Sequence, residues 1–177
     1  MLVDELGKLV DSVVIRTDRV RLMMRNSPRY TASEMVWVYE VCQRIIEMRL
    51  RRGQRVIFDG TNYQAARRER LFEVAHRINA VVSIGHVQAS EQAIRDRLVA
   101  RNSGKRRTGD LSDADWSVYQ WMVHAQEPIE RPHLVLDTTN IPADVLAARL
   151  RDYWFKRERE HASRNHHFQS DGWTSQL

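Results

Sequence analysis

The sequence contains a single cysteine, Cys42, which excludes an internal disulfide and fits a reducing compartment. Set among Val41 and Ile45 at helical spacing, it reads as a packing residue. No apolar run approaches the roughly 18 residues needed to cross a bilayer, and no leader pattern opens the chain; a cytoplasmic protein without a membrane partner is expected. No internal repeat is visible. Of the seven glycines, none falls in a GxxxxGK[ST] loop, the strand-to-helix turn whose backbone amides cradle phosphates.

What is present suits one domain: 177 residues at 42% apolar content suffice for a single core. Lys and Arg outnumber Asp and Glu by 28 to 23, a net charge of +5. That balance suits a protein handling phosphates, nucleotides or nucleic acid, and equally serves solubility.

Apolar periodicity switches repeatedly between helical and extended spacing, the mark of an α/β chain. Leu2, Val3, Leu6, Leu9 and Val10 open the chain in an amphipathic helix with no start signal before it. Val13 to Ile15 is β-branched and leads to Asp18; Val36 to Leu50 makes a long helix; Val56 to Phe58 is the strongest strand and ends in Asp59, Gly60, Thr61 and Asn62. Ala65 to Ile78 is helical, Val81 to Val87 extended, and Glu91 to Arg101 helical, followed by a basic loop with Gly104, Lys105, Arg106, Arg107 and Gly109. Trp116 to Gln126 is a helix, Leu134 to Leu136 a strand ending at Asp137, Thr138 and Thr139, and Ala143 to Trp154 a closing helix. From Lys156 to Leu177 the chain has little to bury and reads as a disordered tail after a domain of residues 1–155. Polar residues at the carboxyl ends of buried parallel strands mark where ligands bind in open α/β sheets.

Five segments in this order, 16–21 (RTDRVR), 51–70 (RRGQRVIFDGTNYQAARRER), 95–101 (RDRLVAR), 111–120 (LSDADWSVYQ) and 127–139 (EPIERPHLVLDTT), resemble the AAA_33-type P-loop kinases, small nucleotide-dependent kinases that include polynucleotide kinase and zeta-toxin-like enzymes. The resemblance implies a three-layer P-loop fold around a parallel sheet, with ATP and Mg²⁺ as cofactors. It also implies that the first strand and phosphate loop would precede Met1. Loss of that central strand would cost several kcal/mol in unpaired backbone and lost burial.

In such kinases an Asp followed three residues later by Arg pairs a general base with a substrate clamp, which assigns these roles to Asp18 and Arg21. The alternative is a helix cap beside a surface charge. Asp59, Thr61, Asn62 and Arg67 are implied to recognise the acceptor, Asp59 by orienting it or by holding water on Mg²⁺ and Arg67 by binding an acceptor phosphate, although Asp-Gly-Thr-Asn is also an ordinary turn. Arg97 and Arg101, one helical turn apart, resemble lid arginines that close over the transferred phosphoryl group, with the lid at about 97–113; a solvated basic face is the alternative. Asp137 and Thr139 would lie near the nucleotide base. Trp37, Tyr39, Trp116, Tyr119, Trp121, Tyr153 and Trp154 read as helix packing rather than a base-stacking platform. The histidines, lacking partners at ligand spacing, point to no metal site.

The expected function is ATP-dependent phosphorylation of a hydroxyl on a nucleic-acid end, a nucleotide-like molecule or another small acceptor, with little activity in the chain as given. Two alternatives remain: a noncatalytic phosphate or nucleic-acid binding protein, and a nucleotide hydrolase in which Asp18 activates water.

Overall fold

Short side-chain caps start three of the helices. Thr31 Oγ1 accepts from the Glu34 amide at 3.2 Å, Ser90 Oγ from Ala93 at 3.3 Å and Asp115 Oδ1 from Val118 at 2.9 Å, each satisfying a donor that a helix start leaves unpaired. The Thr31 cap begins the long helix earlier than its apolar spacing suggested, at Ala32.

The computed structural model describes residues 1–24, 30–103 and 114–170, the last six by backbone alone. In order the elements are α1 (Leu2–Leu9), β1 (Val13–Arg16), α2 (Thr17–Met24), α3 (Ala32–Arg51), β2 (Val56–Asp59), α4 (Ala65–Arg77), β3 (Gly85–Gln88), α5 (Glu91–Asn102), α6 (Trp116–Ala125), β4 (Leu134–Asp137) and α7 (Ala143–Ser170). The α/β expectation holds, with parallel strands throughout.

β1 pairs with β2, with Val13 opposite Val56 and Arg16 opposite Asp59. The pleat then sorts side chains by alternation. Val13, Ile15, Val56 and Phe58 join Val38, Cys42, Ile46 and Val74 of α3 and α4 in one core, while Val14 and Ile57 join Leu6, Val10 and Ala147 on the α1 and α7 side. Cys42 is fully buried, as a packing residue would be.

β3 pairs with β4 from Gly85 opposite Leu134 to Gln88 opposite Asp137. The expected strand over 81–87 is therefore shorter and begins later: among the described residues no neighbouring strand lies beside 81–83, and without one the extended segment has no ladder to join. The two pairs form separate two-stranded sheets. Val87 and Val135 are 52% and 48% exposed, so this second pair is far less covered than the first.

Two devices hold the pairs together. On one face α7 spans both: Leu150 packs with the Ile57 and Leu6 core and also lies against Gly85, where an added Cβ would come 3.1 Å from Leu150 Cδ2 and 3.2 Å from Leu136 Cδ1. On the other, the buried Arg68 of α4 donates from Nη1 to the carbonyls of Asn62 at 2.9 Å and Tyr63 at 3.0 Å, and from Nη2 to those of Glu127 at 3.2 Å and Pro128.

α7 does not stop near Trp154. Residues 156–170, expected to be disordered, continue the helix. Arg55, just before β2, grips Glu158 through two bonds of 2.9 Å and lies 5.4 Å from the Phe155 ring centroid, giving the polar extension a tertiary anchor that composition does not reveal. Residues 171–177 lie outside the described residues.

Arg68→Met should lower unfolding free energy by about 3 kcal/mol, because four carbonyls lose a charged donor that is itself buried. The same change at exposed Arg70 should stay within about 0.5 kcal/mol. Urea denaturation of both variants compares them directly.

Candidate active site

Parallel pairing brings the carboxyl ends of β1 and β2 together, with Arg16 opposite Asp59. Gly60, directly after β2, nests against α2: an added Cβ would come 2.8 Å from Thr17 Cγ2 and 3.2 Å from the Phe58 ring, so only glycine fits without displacement. Asn62 follows with φ of 43°, a left-handed conformation that Asn tolerates better than most residues. Its amide donates to the Tyr39 hydroxyl at 3.3 Å, and its Nδ2 to Gly60 O at 3.2 Å.

The result is a set of alternating charges. Arg16, ending β1, pairs with Asp4 of α1 and lies 3.4 Å from Asp59 Oδ2 through Nε. Burial raises the Asp59 pKa above the usual carboxylate range; Arg16 opposes that shift, and the charges of Asp18 and Asp4 add to it. Asp18 sits in the first turn of α2 and accepts from Arg21 Nη1 at 2.6 Å.

Arg21 is not an extended surface clamp. At 4% exposure it is surrounded by Asp18, by Glu34 at 3.3 Å, by Met35 Sδ at 3.0 Å and by the Tyr30 ring at 4.7 Å. In this arrangement it holds Asp18 and α3 in place. Arg67 of α4 lies between two rings, 4.7 Å from the Tyr39 centroid and 5.3 Å from that of Tyr63. Thr61 is exposed on the connecting turn. Asp18, Asp59, Asn62 and Arg67 thus belong to one region, around the ends of β1 and β2.

The remaining candidates belong to the second strand pair. Arg97 donates from Nη1 to Thr138 Oγ1 at 2.9 Å and also bonds the Thr138 carbonyl, so its fork is engaged at the end of β4. Arg101 Nη1 donates to Ala114 O at 3.1 Å, tying together the two ends of the basic loop. Asp137 accepts from the Thr139 amide at 2.8 Å, and hydrogen bonds from Thr139 lower its pKa, with a smaller contribution from Arg97. Thr139 Oγ1 accepts from the Ser90 amide at 2.8 Å. Residues 104–113, with the loop's Lys105, Arg106 and Arg107, lie outside the described residues.

Sequence reasoning missed Asp4, Glu34 and the aromatic neighbours of Arg67. Asp4 and Glu34 carry no local signal, since they reach the site only by helix packing. Trp121 and Trp37, read as packing residues, are 56% and 60% exposed. Trp121 meets Tyr63 edge-on at 5.3 Å and so borders the Arg67 side of the site.

A family profile described as an AAA domain matches residues 1–129. The chain belongs to the AAA domain family. Its fold is also that of several small kinases. This AAA-domain chain is 18% identical to a gluconokinase from Sinorhizobium meliloti 1021, covering 96% of this chain and 89% of that one with a TM-score of 0.59. A sugar kinase from Janibacter sp. HTCC2649 shares 15% identity over 90% and 88%, with a TM-score of 0.61. The Mycobacterium tuberculosis APS kinase CysC, solved with AMPPNP and APS, shares 15% identity over 84% and 82%, with a TM-score of 0.57. No curated protein matches the sequence.

The raised pKa of Asp59 has a thermodynamic sign. The folded protein retains the Asp59 proton to higher pH than the unfolded chain, so this group's contribution to stability falls as pH rises from about 4 through the folded pKa. Asp59→Asn removes the buried charge while Arg16 keeps Asp4. Its melting midpoint should exceed the wild type's at pH 7, and the gap should close below about pH 3.5. A lower midpoint at pH 7 would show that the Arg16 pairing outweighs the cost of burial.

Proposed function

We propose that this chain is the acceptor-binding and lid-bearing body of an ATP-dependent kinase that phosphorylates a hydroxyl. The observation that carries the reading is the convergence of Asp18 and Asp59 at the carboxyl ends of parallel β1 and β2, within a fold shared with small kinases. A carboxylate there can take the proton of an acceptor hydroxyl as its oxygen attacks a phosphoryl group. We assign that role to Asp18, held by Arg21, and acceptor orientation to Asp59. Small-molecule acceptors are favoured by the gluconokinase, sugar kinase and APS kinase likenesses; a nucleotide-like molecule or a nucleic-acid end remains in the same chemical class.

ATP and Mg²⁺ do not fit the described residues alone. Among them, no three His, Cys, Asp or Glu side chains gather closely enough to hold a metal, and the fork of Arg97 is already engaged by Thr138. The sheet suggests where the remaining parts would go. β2 and β3 each have one partner and none in common, while α7 lies over both. A fifth parallel strand between them would make one continuous sheet, and a glycine loop at its carboxyl end would lie beside Asp59. We infer that residues outside this sequence supply both, and that this chain alone turns over little ATP. Arg97 and Arg101 would then neutralise the transferred phosphoryl group from the lid, with Asp137 and Thr139 toward the base.

A protein extended by such a strand and loop should consume ATP only when a hydroxyl acceptor is added. Asp18→Asn in that protein should lower turnover at least about 100-fold with ATP affinity unchanged; undiminished turnover would remove Asp18 as the base. Nucleic-acid affinity that falls steeply with salt and ignores ATP would favour a noncatalytic binder instead.

A further inference from the structure

Away from the carboxylates, two histidines meet on the second strand pair. His86 lies in β3, and His133 directly precedes Leu134, the first residue of β4, which pairs with Gly85. Strand alternation sets the two imidazoles diagonally on one face, with ring centres 5.7 Å apart. Gln126, which follows α6, reaches the same place: its Nε2 stands 3.2 Å from His86 Nε2. Spacing along the chain gives no sign of this group, which only the strand register creates.

The hydrogen bonds decide which ring nitrogens are open. A carbonyl can only accept, so the 2.9 Å bond from His133 Nδ1 to the Arg131 carbonyl puts a proton on Nδ1 and leaves the lone pair of the neutral ring on Nε2. An amide nitrogen can only donate, so His86 Nε2 is likewise the unprotonated nitrogen of its ring. The segment that carries His133 is anchored on two sides. Arg131 is held by Glu69 at 2.8 Å and lies 4.3 Å from the Phe72 ring centroid, and the Pro132 carbonyl accepts from the Tyr153 hydroxyl at 3.2 Å. A carbonyl-held Nδ1 with an open Nε2 is the arrangement that orients metal-binding histidines. Both rings are partly exposed, so burial alone gives little reason to hold them together.

Imidazoles bound to one ion through nitrogens about 2.1 Å away have ring centres up to roughly 6.5 Å apart, and the observed separation falls within that reach. Imidazole nitrogen suits zinc, copper and nickel, whereas magnesium and calcium take oxygen ligands. We propose that His86 and His133, joined by Gln126 Oε1 when its amide turns over, bind one divalent transition-metal ion through their Nε2 atoms, with water completing the shell. The ion ties β3 to segment 126–133, whose Glu127 and Pro128 carbonyls hold Arg68, and so strengthens the less covered strand pair. The charge of Arg68 acts on His86 and opposes the ion, an opposition that its four carbonyl partners reduce.

The test titrates zinc chloride into the full chain by calorimetry, in a buffer that does not bind metal. His133→Ala and His86→Gln should each weaken one saturable site at least about tenfold, and Gln126→Ala should cost less. Zinc at about 100 times its dissociation constant should raise the wild-type melting midpoint by at least about 3 °C and leave that of His133→Ala unmoved. His166 and His167 are further imidazoles in the sequence, so the double variant His166→Ala/His167→Ala is the control and should bind zinc as the wild type does. With copper in place of zinc, electron paramagnetic resonance should show coupling to imidazole nitrogens that is reduced in either single variant. Melts without metal show which variants are folded, and His86→Gln decides the matter if His133→Ala does not fold. Undiminished zinc binding in a folded His86 or His133 variant, loss of the site in the double control, no saturable binding, or a wild-type midpoint that zinc leaves unchanged would each overturn the proposal.

Discussion

The buried guanidinium of Arg68 is the contact on which the arrangement of this molecule depends. It reaches backward to the turn after β2 and forward to the segment before β4, so one side chain joins with α7 in tying the two strand pairs together. A charge buried to this degree is tolerated because four carbonyls surround it. Those carbonyls in turn belong to irregular segments with no ladder to satisfy them, which makes the dependence mutual. The Glu127 amide bonded to Tyr63 O at 2.9 Å reinforces the same junction.

That junction also places the site. The turn held by Arg68 carries Asn62 and Tyr63, and Arg67 neighbours Arg68 on α4, so the support and this part of the site share one helical turn. Gly60 presses this turn against Thr17, bringing Asp59 and Asp18 near one another. The charges then order themselves around Arg16 and Arg21, each bridging two carboxylates. Asp59 remains half-buried there at a cost to its ionised form, which the neighbouring Arg16 offsets.

Much of the architecture was legible from local pattern. Alternation in Val13 to Ile15 and Val56 to Phe58, helical spacing along α1, α3, α4 and α5, and the polar residues after Phe58 all correspond to observed elements. The misreadings share a cause. Val81 to Ser83 have strand composition but no neighbour among the described residues, α3 gained a turn from the Thr31 cap, and α7 continued because Arg55 and Phe155 anchor a polar stretch. In each case a cap, a contact or the lack of a pairing neighbour outweighed composition.

The candidate site divides in the same way. Asp18, Asp59, Asn62 and Arg67 could be picked out because the segments that carry them resemble those of P-loop kinases, and Asp59 and Asn62 also lie at a strand end and in the polar turn after it, features that survive in one-dimensional order. The sequence alone could therefore determine the α/β class, the parallel strands and the residue types available for phosphate chemistry. Only tertiary structure decided that Arg21 is buried between two carboxylates, that Arg97 is bound to Thr138, and that Tyr39, 23 residues before Asn62, lies under Arg67. The reason is physical: pairing and burial depend on distance through space, and packing between α3, α4 and the strands brings together residues whose separation along the chain carries no trace of it.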